Sequence, residues 1–361
     1  MASLVQHTQD RSSVETSLSL KRESFLRSVL PDQNVTLQAL PSDASLRTYY
    51  RVRGADQPLM LMEDPVNRPD YAGTMDVRPF YKVAEHLRRL GLNTPDIHAH
   101  DFENGLLLLE DFGDQTYTRL FEGGVDPRPL YELAIDVLIH LHNHPDRCAV
   151  DVPTYTLDHY LAEADLLIDW YLPVVLGRHV SAAEREHYHE VWTEILSTLP
   201  KDQDTIVLRD YHVDNLMEVE GYTGLEKCGL LDFQDAVIGP MAYDVMSLLE
   251  DARRAVDPDL YDHLLYSKYL PAMKGVNQQS FMRSFYILAA QRHAKVLGIF
   301  VRLFKRDGKP RYLSFLPHIH TLFMAALDQQ ALAPLKHWFE TCNIDITVCP
   351  SLDHIQSKGE K

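Results

Sequence analysis

The stretch Leu208-Arg209-Asp210-Tyr211-His212-Val213-Asp214-Asn215 sets an aspartate and an asparagine five residues apart, and a second aspartate follows in Leu231-Asp232-Phe233-Gln234-Asp235. These residue types suit phosphoryl transfer. That reaction needs a carboxylate to orient the attacking hydroxyl and finally take its proton, and oxygen ligands to hold Mg²⁺ on the phosphates as charge develops. Asp210 is the expected base, and Asn215 and Asp232 are the expected metal ligands. Singly, an Asp or Asn in a loop serves a turn or caps a helix. The three in order, after a strand-like run and with the second Asp opening an Asp-Phe pair, select the phosphotransferase reading.

The elements that must position these residues read as a small β-rich part followed by a larger helical one. Phe25, Leu26, Val29 and Leu30 predict a short helix that stops at Pro31. Tyr49 to Val52 and Leu59 to Met62 flank the turn-rich Gly54 to Pro58 and predict a hairpin. Phe80, Val83, Ala84 and Leu87 predict a helix from Pro79 to Leu90, and strands follow at Ile97 and at Leu106 to Leu109. From Asp126-Pro127 the pattern is mostly helical, broken by short strands at Thr205 to Leu208, Asn215 to Val219 and Cys228 to Leu231. The expected boundaries are a polar tail over 1–22, a nucleotide-binding lobe with its hinge over 23–113, a catalytic and substrate lobe over 114–350, and a polar tail over 351–361. The fold class is α+β, with the outline of a two-lobed protein-kinase-like fold.

Composition narrows the partners. The 361 residues are 45% hydrophobic and 24% charged, so the chain folds on its own core. Lys plus Arg total 35 against 52 Asp plus Glu, a net charge of −17, which repels a nucleic-acid backbone. An anionic substrate must therefore meet a local cluster of cations or a metal ion. The four cysteines form no C-x-x-C pair, and the first twenty residues have no unbroken apolar run. No stretch predicts a transmembrane helix. The expectation is a soluble, cytoplasmic protein with no nucleic-acid, membrane or obligate protein partner. His140, His142 and His144 do not share one helix face and lack an H-E-x-x-H pattern, so no zinc site is expected.

The Asp210 segment resembles the aminoglycoside phosphotransferase and choline kinase group of small-molecule kinases. Within that group LRDYHVDNLM, LLDFQDAVIGPMAYDVMSLLEDAR, LPSDASLRTYYRV, LLLLEDFGD, DWYLP and KVLGIFVRLFKRDGKPRYL are similar to the bacterial anomeric kinases of N-acetylmuramate and N-acetylglucosamine used in cell-wall sugar recycling. The resemblance implies ATP and Mg²⁺, a small-molecule sugar acceptor phosphorylated on its anomeric hydroxyl, and an active site in a cleft between two lobes. It places Ser42, Ala44, Ser45 and Arg47 in the loop over the phosphates, and Glu110 and Phe112 in the hinge at the adenine. It implies Asp235, Glu163, Asp169, Trp170 and Arg292, with Gln291 and Lys295, at the sugar, and Asp244 as a brace for the catalytic loop. The chain departs from the group twice: Leu208-Arg209 stands where His-Gly precedes the catalytic Asp, and Leu59 to Asp64 carries no lysine to grip the phosphates. Without that lysine, Glu85 reads as a surface residue. Rival readings are an aminoglycoside- or choline-type acceptor, or a pseudokinase that binds without chemistry.

Overall fold

The structure, a computed structural model, describes residues 2–41, 47–64, 76–201, 203–351, 353 and 355, with backbone alone for 2–15. Its described strands are β1 (Thr36–Ala39), β2 (Thr48–Arg53), β3 (Leu59–Glu63), β4 (Ile97–Asp101), β5 (Leu106–Glu110), β6 (Asp204–Val207), β7 (Leu216–Glu218), β8 (Cys228–Leu230) and β9 (Val237–Pro240). The chain forms two compact units: Met1–Gly124 with Asp214–Asp235, and Val125–Val213 with Ala236–Lys361. The first unit thus runs past the expected boundary at Gly113 and takes in the segment that carries Asn215 and Asp232.

In the first unit, β1 to β5 make an antiparallel sheet in the order β1-β2-β3-β5-β4. Leu59 and Leu61 alternate along β3, and with Val52, Leu106 and Leu108 they pack against Phe25 and Leu26 of the first helix. That helix runs from Ala2 to Val29, where a polar tail to residue 22 was expected. Residues 2–22 carry no apolar stripe, so periodicity is silent there, yet they hold no Gly or Pro to stop a helix. Arg22 anchors it: its Nη1 donates to Glu63 Oε2 at 2.7 Å and to Tyr50 Oη at 3.0 Å. The Arg78–Arg89 helix follows the predicted apolar spacing, burying Phe80, Val83, Ala84 and Leu87, and Glu85 is exposed as read. The same unit holds the β7–β8 hairpin, in which Leu216 pairs with Leu230.

The second unit is mostly helical, with β6 paired to β9. Its Pro127–Asn143 helix starts as predicted, with the Asp126 carboxylate accepting from Arg128 N at 3.0 Å. The Leu157–Leu166 helix widens into a π turn over Leu167–Tyr171, and the Gln278–Lys305 helix crosses it. They approach so closely that a β-carbon on Gly298 would stand 2.1 Å from the Leu166 carbonyl oxygen. Only glycine fits that crossing. Among the described residues no helix is long and apolar enough to cross a membrane.

Candidate active site

Asp210 lies on the loop after β6, and the helix Ala242–Leu249 holds that loop in place. Asp244, fully buried, accepts the Leu208 N–H at 2.7 Å through Oδ2 and the Arg209 N–H at 3.0 Å through Oδ1. These two bonds tie the helix to the loop that carries Asp210. Burial pushes the Asp244 carboxyl up to about 7, against the pull of those two donors. Arg209 takes φ +68°, the left-handed conformation that favours glycine. Here the family resemblance expects Gly, and a bulky residue must instead be held by its side chain.

Glu163 does the holding. Its Oε1 accepts from the Arg209 guanidinium and from Lys295 Nζ at 2.8 Å. Its Oε2 accepts from the Tyr155 hydroxyl and from Gln291 Nε2 at 3.1 Å. The guanidinium also lies 5.6 Å over the Tyr155 ring. Burial alone would raise the Glu163 carboxyl, but Lys295 and Arg209 hold it down at about 2. Both oxygens are occupied within the protein, where the resemblance implied a contact to the sugar. Sequence spacing contains part of this network, because Gln291 and Lys295 stand one helical turn apart on one face. Tyr155 was missed, since nothing in its local sequence marks it.

Asp210 itself is partly exposed. Burial opposes its charge, but the positive groups around it, Lys295 first and then Arg292 and Arg209, hold its carboxyl below the usual carboxylate range. His212 is buried, and its Nε2 lies 3.3 Å from Arg253 Nη1. Burial also keeps this imidazole neutral. The structure therefore gathers Glu163, Arg292 and Asp244 with Asp210. It does not group Asp169 and Trp170 there: Asp169 is exposed and pairs with Arg185, and Trp170 is half-buried in the same π turn.

In the first unit, the β7–β8 hairpin brings Asn215, just before β7, beside Asp232, just after β8. Asn215 Nδ2 is 3.4 Å from Asp232 Oδ2, and Gln234 Nε2 donates to Asp232 Oδ1 at 2.8 Å and to Asp235 Oδ2 at 3.2 Å. Asp232, like Arg209, has positive φ, at +57°. An amide and a carboxylate side by side offer the hard oxygen atoms that Mg²⁺ prefers, and leave room for the phosphate oxygens and waters it also binds. The donor set fits Mg²⁺. Among the described residues no group of three or more His, Cys, Asp or Glu could hold a metal ion.

Arg47 Nε donates to the buried Asp64 at 2.8 Å, and Arg47 lies within electrostatic reach of Asp235. Burial opposes its charge, and Asp64 together with Tyr49 and Asp235 more than offsets it. The expected phosphate-loop residues Ser42, Ala44 and Ser45 lie outside the described residues. In the segment expected to form the hinge, Glu110 Oε1 accepts from the Tyr222 hydroxyl at 3.2 Å. The Phe112 ring packs so tightly on β8 that a β-carbon on Gly229 would come within 2.7 Å of it. Arg51 pins the turn, donating to Asp111 at 3.2 Å and to Asp114 at 3.0 Å.

Comparison with known proteins agrees with this chemistry. Two solved structures share the fold at low identity: the choline kinase LicA from Streptococcus pneumoniae (TM-score 0.55, 12% identical, 88% of this chain and 99% of that one) and a streptomycin–ATP–APH(2")-IIa ternary complex (TM-score 0.52, 14% identical, 86% and 96%). Among curated proteins, the N-acetylmuramate/N-acetylglucosamine kinase of Caulobacter vibrioides is 32% identical over 357 residues, covering 90% of this chain and 97% of the relative. The protein of the same name from Pseudomonas aeruginosa is 36% identical over 286 residues, covering 76% and 79%. The family model described as "Phosphotransferase enzyme family" matches residues 36–274, the span that carries Asp210, Asn215, Asp232 and the Asp244 brace, and the chain belongs to that family.

Proposed function

We propose that this enzyme transfers the γ-phosphoryl group of ATP to the anomeric hydroxyl of N-acetylmuramate and N-acetylglucosamine, giving the sugar 1-phosphate and ADP. The observation that carries the reading is the braced Asp210 loop, with its unusual Arg209–Glu163 anchor, in a chain whose full-length relatives are kinases named for these two sugars. The fold likeness to choline and aminoglycoside kinases reaches only 12% and 14% identity and gives the acceptor no support.

In the reaction the sugar's O1 attacks the γ-phosphorus, the bond to the β-γ bridging oxygen breaks, and the O1 proton passes to Asp210. A carboxylate held below its usual range is a weak base. That suits this acceptor, because a hemiacetal hydroxyl is more acidic than the sugar's other hydroxyls, and in a loose transition state the proton leaves late. Asp210 mainly orients O1 in line with the phosphorus. Asn215 and Asp232 would hold Mg²⁺, which when bound neutralises charge on the phosphates. Arg47, held by Asp64, is the cation that serves the nucleotide in place of the lysine that β3 lacks.

ADP production with ATP, Mg²⁺ and a panel of N-acetylmuramate, N-acetylglucosamine, glucose, choline and kanamycin tests the reading. Turnover of the two N-acetylated sugars is expected. Turnover confined to choline or kanamycin would replace the acceptor, and silence with the whole panel would favour a binding protein without chemistry.

A further inference from the structure

Arg292 sits in the middle of the Gln278–Lys305 helix, 4% exposed, and its Nη1 is buried without a hydrogen-bond partner. The other charges near it are spoken for. Arg209 and Lys295 share Glu163, Arg253 faces Asp251 at 3.9 Å, and Asp244 gives both oxygens to backbone N–H groups. Asp210 is within electrostatic reach of Arg292, but Lys295 and Arg209 converge on it as well. A second donor stands orphaned in the same cluster. His212 Nε2 faces Arg253 Nη1, a group that can only donate, so Nε2 accepts and the proton stays on Nδ1. That Nδ1–H is buried and meets no acceptor.

A guanidinium buried without a hydrogen-bonded anion is costly, and so is a buried N–H without an acceptor. A ligand that brings an anion would relieve both. The two proposed sugars present the same anomeric hydroxyl to Asp210, and they differ in one group: N-acetylmuramate carries on O3 a lactyl ether that ends in a carboxylate. We infer that Arg292, with His212 beside it, recognises the carboxylate of an acidic amino sugar and so sets the preference between it and the neutral one. The forked donors of a guanidinium match a carboxylate, and burial leaves this one little water to lose. The inference rests on the sugar-kinase reading above.

The test compares kcat/KM for N-acetylmuramate, its methyl ester and N-acetylglucosamine in the wild-type enzyme, and for the two free sugars in Arg292→Gln and Arg292→Lys. Thermal melting confirms that each variant is folded. The wild type is expected to discriminate against the ester, which needs no variant to fold. Arg292→Gln should lower the ratio of acidic to neutral sugar by about 10- to 100-fold, the range for a hydrogen bond to a charged group. Arg292→Lys should restore part of that ratio. An unchanged ratio with both rates lowered together would make Arg292 a support for Asp210 and overturn the inference, as would equal use of acid and ester. Failure of the wild type to phosphorylate either sugar would instead remove the kinase reading itself.

Discussion

Asp210 lies among cations that keep its carboxyl charged, so as the proposed base it would supply position and charge more than basicity. Asp210→Asn should preserve the fold and nucleotide binding and lower kcat by about 10² to 10⁴, the range for a general base. A kcat near that of the wild type would remove Asp210 from the mechanism. Two neighbours titrate in opposite senses. Glu163 falls from an ordinary 4.5 to about 2 in the folded chain, where Lys295 and Arg209 overcome burial. It therefore contributes roughly 3 kcal/mol of stability that is present above pH 4.5 and lost as pH falls toward 2. Asp244, raised by burial to about 7, favours the folded state most below pH 3.8, and that contribution is lost as pH rises through 7. Denaturant titrations from pH 2 to 8 should show a Glu163→Gln protein losing the acid-side dependence and an Asp244→Asn protein losing the dependence between 4 and 7. Wild-type slopes in both variants would contradict these assignments. Asp210, Asn215 and Asp232 stand out in the sequence because their spacing is local. The anchoring of Arg209 does not, because Tyr155, Glu163, Gln291 and Lys295 reach it from separate helices and loops and no local pattern records that convergence.

At the scale of elements, the crossing at Gly298 sets where Gln291 and Lys295 meet Glu163. Gly298→Ala would push a methyl group into the Leu166 carbonyl, which is backbone and cannot turn away. Overpacking of this kind costs about 1–3 kcal/mol. The variant should melt at lower temperature and show a lower kcat, because the helix bearing Lys295 must shift. An unchanged melting temperature and kcat would mean that the crossing relaxes freely. The β2–β3 hairpin and the Arg78–Arg89 and Pro127–Asn143 helices were readable because each buries one apolar face. Two strands were not anticipated. β1 is largely exposed and lacks alternation, and β9, Val-Ile-Gly-Pro, reads as a loop until β6 supplies its ladder. The first helix shows the same limit: only its last turns carry the apolar residues that dock on the sheet.

Across the whole molecule, the net charge of −17 disfavours anionic ligands, and the exceptions are local. In the second unit Arg209, Arg253, Arg292 and Lys295 gather near Asp210, and in the first Arg47 stands near Asp235. The chain enters the first unit at Asp214 and leaves it after Asp235, so the loop that carries Asp210 continues directly into the strand pair that carries Asn215 and Asp232. A boundary drawn by composition at Gly113 could not show this, because the excursion is short and resembles its surroundings. The anomeric reading stands or falls on which oxygen receives the phosphate. The most direct measurement is the NMR spectrum of the product formed from N-acetylglucosamine, ATP and Mg²⁺. Phosphorus coupled to the anomeric proton, in a product that no longer reacts as a reducing sugar, is the predicted result. Phosphorus coupled to the C6 protons would contradict anomeric transfer.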